Sequence, residues 1–124
     1  FPSDSRTTLA TGLSTAKGYL ASMSNEGVAG YAAGGYDGSY LSSVDKFSFV
    51  DDSRSTLATG LSGVKAEIAG ASAADQAGYI AGGRNSGTLQ FNTIERFDFG
   101  TDARTTLGST LTVAKRAPTG FENG

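Results

Sequence analysis

Apolar and polar positions alternate most clearly in two segments, Val44-Asp45-Lys46-Phe47-Ser48-Phe49 and Ile94-Glu95-Arg96-Phe97-Asp98-Phe99. A period of two predicts strands, with Phe47 and Phe49 on one face, Lys46 and Ser48 on the other, and Phe97 and Phe99 behaving alike. Two further segments are short runs of small apolar residues that end in a glycine pair. They are Gly30-Tyr31-Ala32-Ala33-Gly34-Gly35 and, 48 residues on, Gly78-Tyr79-Ile80-Ala81-Gly82-Gly83. A buried strand that passes a neighbouring backbone closely and then turns sharply needs that composition. Residues 17–23 and 65–71 read as one more strand in each copy. The Ala-rich residues 61–75 also admit a helix, but Gly63 and Gly70 would each cost about 1 kcal/mol in its interior, so the strand is preferred.

All of these segments belong to an internal repeat. Asp4-Ser5-Arg6-Thr7-Thr8-Leu9 returns as Asp52-Ser53-Arg54-Ser55-Thr56-Leu57 and as Asp102-Ala103-Arg104-Thr105-Thr106-Leu107, at spacings of 48 and 50. An apolar anchor follows each copy (Leu13, Leu61, Leu111), and then a basic position (Lys17, Lys65, Lys115). The chain divides as one repeat array over residues 1–124: a partial repeat at 1–26, a repeat at 27–74, and a repeat plus a trailing half-repeat at 75–124. The two extra residues of the later copy fall in the loop after the glycine pair, where added length costs little. About four short strands per repeat and no helix predict an all-β fold.

Gly34-Gly35, a variable loop, Val44-Asp45-Lys46-Phe47, then Arg54, Leu57, Leu61 and Lys65 together resemble a kelch repeat. The resemblance covers nearly the whole chain and implies a portion of a β-propeller, about two and a half four-stranded blades. The family's tryptophan position is held here by Arg54 and Arg104, so packing between blades must be solved differently. Closed propellers have about 4–8 blades. The resemblance therefore implies completion by further blades in cis or by self-association, with the trailing half-repeat at 102–124 a candidate donor strand for a neighbour. Divergent repeats of this Ser/Thr/Gly-rich kind are similar to repeats in phage tail and cell-surface proteins, which implies an extracellular or virion setting.

Composition narrows the chemistry. Without Cys or His the chain has no disulfide, no thiol nucleophile, no Cys/His zinc site and no imidazole base. That absence also closes a copper-oxidase reading. Ten basic against twelve acidic residues leave a net charge of −2, so the basic face of a nucleic-acid binder is not expected. No apolar run approaches the roughly 18 residues that span a bilayer. The glycine pairs lack the Lys-Ser/Thr of a phosphate loop and read as structural turns. Asp4, Asp51, Asp52 and Asp102 do not have the spacing of a calcium loop, so no metal, cofactor or catalytic residue is expected.

Gly34, Gly35, Gly82, Gly83, Arg6, Arg54 and Arg104 read as structural repeat positions, each Asp-x-Arg forming a turn in which the Asp caps backbone amides. Tyr31 and Tyr79 read as core aromatics whose hydroxyls find a partner. Tyr36, Asp37, Tyr40, Arg84 and Asn85, in the loops after the glycine pairs, are the candidate ligand-binding residues, because loops on rigid β scaffolds carry recognition and Tyr and Arg favour binding hot spots. The expected function is a non-enzymatic recognition module for a glycan or protein. The alternatives are a self-assembling subunit of rings or fibres and, ranked last, a carboxylate-based hydrolase.

Overall fold

The computed structural model describes residues 5–116 together with Glu122 and Asn123. Asp4 of the first Asp-x-Arg copy, and residues 117–121 and 124 of the trailing half-repeat, lie outside the described residues. The described chain is all-β, with nine strands and no helix.

Strands β1 (Ala21–Asn25), β2 (Ala29–Ala33), β3 (Val44–Ser48) and β4 (Arg54–Thr56) form one antiparallel sheet in that order. Strands β5 (Ala69–Ala73), β6 (Ala77–Ala81), β7 (Ile94–Asp98) and β8 (Arg104–Thr106) form a second of the same topology. A short β9 (Glu122–Asn123) runs parallel to the free edge of β5. The registers match position for position: Tyr31 lies opposite Lys46 in sheet 1, and Tyr79 lies opposite Arg96 in sheet 2. The repeat seen in the sequence is thus a repeat of pairing.

The glycine-pair strands and the alternating strands fall where the pattern puts them. The third predicted strand does not: residues 17–23 and 65–71 give way to β1 and β5, which start four residues later at Ala21 and Ala69. Lys17 and Lys65 belong instead to the connector, where their ammonium groups are drawn to buried carboxylates. The trailing half-repeat is also corrected in part, because Arg104–Thr106 pairs with β7 of its own sheet and so is used within the chain.

The two sheets meet where β1 packs on β5 and β6. The approach is close. A Cβ placed on Gly70 would stand 2.0 Å from the Ser22 carbonyl oxygen, and one on Gly78 would stand 2.3 Å from Met23 Sδ. Gly34, in the left-handed region at φ 62°, brings its turn against the connector, where a Cβ would lie 2.6 Å from the Lys65 carbonyl oxygen. The core is built of Ala21, Met23, Tyr31, Val44, Leu61, Ile68, Ile80, Phe97 and Phe99, all buried.

Residues 57–65 join the sheets in two ways. Their backbone is tied to sheet 1: Leu61 N–H donates to Ser42 O at 2.7 Å, Lys65 N–H to Leu41 O at 3.0 Å, and Gly35 N–H to Lys65 O at 3.0 Å. Their side chains, Ser62 and Lys65, reach into sheet 2.

Candidate functional site

Two clusters of charged side chains stand out, and their surroundings give them different capacities. The first is buried and occurs once in each sheet. Asp45 on β3 is fully buried. Its Oδ2 accepts Ser14 N–H at 3.1 Å and Ser14 Oγ–H at 2.8 Å, and Lys17 Nζ stands 3.2 Å away. Its Oδ1 accepts Thr56 Oγ1–H at 2.8 Å, with Arg54 Nη1 at 3.8 Å. Glu95 on β7 repeats the set. It accepts Ser62 N–H and Oγ–H at 2.8 Å each, pairs with Lys65, and has Arg104 Nη1 at 3.7 Å.

Burial by itself would raise the Asp45 carboxyl. The hydrogen bonds from Ser14, Thr56 and Lys17 overcome that and hold its pKa at about 2. Both carboxylates are saturated with donors and sealed from solvent, so their chemistry is that of a joint. Arg54 and Arg104 lay their guanidinium groups over these carboxylates.

Asp102, of the third Asp-x-Arg copy, acts differently from the turn cap expected of it. Capping falls to neighbours: Asp51 accepts Ser53 N–H, and Asp98 accepts Gly100 and Thr101 N–H. Asp102, at φ 55°, reaches across to sheet 1 and accepts Tyr31 Oη–H at 3.0 Å and Lys46 Nζ–H at 2.7 Å. Burial, then the Asp102 carboxylate, pushes the Tyr31 hydroxyl above its ordinary pKa, and the bond to Asp102 raises Lys46.

The second cluster is open. A cleft of about 310 Å³ is lined by Tyr19, Tyr36, Tyr40, Ala66, Glu67 and Arg84. The glycine pairs set its walls, since Tyr36 and Arg84 follow them directly and are each pinned by reciprocal backbone bonds to Gly18 and Ala66. Tyr36 and Tyr40 meet edge to face with ring centroids 5.1 Å apart. Arg84 Nη2 donates to Glu67 Oε1 at 2.5 Å, and that bond raises the guanidinium pKa further. Tyr19 and Glu67 occupy equivalent left-handed positions, at φ 56° and 53°, which turn their side chains out of the connector.

Three of the five expected ligand-binding residues, Tyr36, Tyr40 and Arg84, therefore come together. Asp37 does not line the cleft; its carboxylate closes its own turn through Ser39 N–H at 3.2 Å. Asn85 is also outside the lining and bonds through its backbone to Leu89 O. Tyr19 and Glu67 are members that the loop argument passed over. The available signal was their shared slot, two residues after Lys17 and Lys65, whose chemistry changes between copies.

Among the described residues no three acidic side chains gather as metal donors, and no helix is long and apolar enough to cross a membrane. No protein-family model matches the chain, and no curated protein matches it.

Proposed function

We propose that this chain is a non-enzymatic recognition module that binds a glycan in the cleft between the two repeats. The observation that carries this reading is the meeting of Tyr19, Tyr36 and Tyr40 with the Arg84–Glu67 pair in one open cleft. Tyrosine rings offer flat apolar faces to the C–H faces of a sugar while their hydroxyls remain wet. A guanidinium and a carboxylate side by side supply directed donors and acceptors for ring hydroxyls. The side chains sit on turns of a paired β scaffold, so they lose little freedom when a ligand arrives.

The same reading treats the two sheets as sectors of a kelch-like propeller. It is supported by the 48- to 50-residue period and by four antiparallel strands in each sheet.

A glycan array probed with the chain and with Tyr36→Ala, Tyr40→Ala and Arg84→Ala tests the proposal. Each substitution is expected to weaken the best glycan by about tenfold, in keeping with loss of one well-placed contact. Undiminished binding by all three would remove the cleft from the account. Binding confined to protein ligands would replace the glycan with a protein partner.

A further inference from the structure

The two outer flanks of the structure carry the two halves of a joint that is already closed once inside the chain. At the internal joint, Tyr31 of sheet 1 stacks on Phe99 of sheet 2 with ring centroids 5.1 Å apart. Lys46 beside it pairs with Asp102 at 2.7 Å. Phe99 is left only 5% exposed. The register gives each of these residues a counterpart facing away. Tyr79 and Arg96 on sheet 2 match Tyr31 and Lys46. Phe49 and Asp52 beyond β3 match Phe99 and Asp102, and Asp52 shares the φ of 55° with Asp102. Phe49 is 52% exposed, ten times its counterpart.

We propose that a second copy of this chain docks head to tail on this one, with Tyr79 and Arg96 of one copy meeting Phe49 and Asp52 of the next. Charge and shape complementarity come from the internal joint, which is the same contact made between residues of the same kinds. Arg96 is held meanwhile by Asp98 at 3.3 Å, but both side chains are about one-third exposed, and such a pair exchanges at little cost.

Two features shape the docked joint. Where Gly70 admits the Ser22 backbone inside the chain, the outer flank presents Ser22 itself. Its side chain holds the new joint slightly open at that end. A single connector also has to serve the joint, as residues 57–65 serve the internal one. Residues 107–115 keep their backbone bonds to sheet 2, with Leu111 N–H on Asn92 O at 2.8 Å and Lys115 N–H on Phe91 O at 3.0 Å. They present Thr112 and Lys115, both exposed, at the positions of Ser62 and Lys65. On docking, these two take over the carboxylate of Asp45 in the next copy from Ser14 and Lys17, donor for donor.

Sedimentation velocity of the full chain, from micromolar to about 1 mM where weak contacts register, tests the proposal. The expected result is mass that grows with concentration beyond the 12.6 kDa monomer. Asp52→Arg alone and Arg96→Asp alone should each lower self-association at least tenfold. An equimolar mixture of the two should restore it, because every docked flank then pairs opposite charges. Ser22→Gly, which removes the side chain that props the joint open, should tighten association several-fold, and circular dichroism checks that each variant is folded. A monomer at every concentration would overturn the proposal and leave the flank to a different partner. So would oligomers that persist unchanged in both charge variants, or a mixture that fails to restore them.

Discussion

The two repeats share a pairing pattern and a buried carboxylate joint, yet they differ in how much of equivalent residues they leave in water. Phe99 is 5% exposed and Phe49 is 52% exposed, although each closes the same alternating segment. Leu61 is buried between the sheets, while Leu13, its counterpart ahead of sheet 1, is 38% exposed. Loops diverge further: Tyr36 in one copy is Arg84 in the other, and Tyr19 is Glu67. Interior positions are held to one chemistry by a buried carboxylate that needs its donors or by a close backbone. Loop positions answer to no such demand and are available for recognition. Burial by a neighbouring repeat, not residue type, decides what a given position contributes.

The comparison can be broken most forcefully at the joint. Lys65→Ala leaves Glu95 buried with only the more distant Arg104 as a cation, and loss of the closer partner from a buried pair costs about 3–5 kcal/mol. Urea unfolding should show that loss, whereas Tyr36→Ala on the cleft should stay within about 0.5 kcal/mol. The sheet contact comes next. Gly70→Ala drives a methyl into the Ser22 carbonyl oxygen and should cost about 3 kcal/mol, the upper end for overpacking, because the obstacle is backbone. Ser22→Ala, at the equivalent exposed position, should be neutral within about 0.5 kcal/mol.

The smallest of these effects is the pH dependence that Asp45 contributes. The Asp45 pKa lies at about 2 in the fold against an ordinary 3.8. The unfolded chain therefore takes up the proton first. Stability from this group is complete above pH 3.8 and is lost as pH falls through 2, a change of about 2 kcal/mol. Acid unfolding of Asp45→Asn, monitored over that window, should lack this component while starting from a lower stability at neutral pH.

Much of this arrangement is legible in the amino-acid order. The alternating and glycine-pair strands, the repeat length and the all-β class follow from local pattern, because burial of one strand face or close backbone approach leaves a local trace. The start of β1 and β5 is not legible in that way. Ser22-Met23-Ser24 and Gly70-Ala71-Ser72 are weakly apolar, and the basic residues ahead of them are buried by carboxylates some 28 and 30 residues further on. Pairing at that distance leaves no spacing to recognise. Asp102 was hidden for the same reason, since its partners Tyr31 and Lys46 come from the other sheet. The cleft was half visible: loop composition pointed to Tyr36, Tyr40 and Arg84. Tyr19 and Glu67 needed the left-handed turn at the end of the connector to bring them in.

The most direct measurement is the unfolding free energy of Phe99→Ala beside that of Phe49→Ala, at micromolar protein where copies are apart. The account predicts a loss of about 3–5 kcal/mol for Phe99, stacked on Tyr31, and less than about 1 kcal/mol for Phe49. Equal losses at the two positions would contradict it.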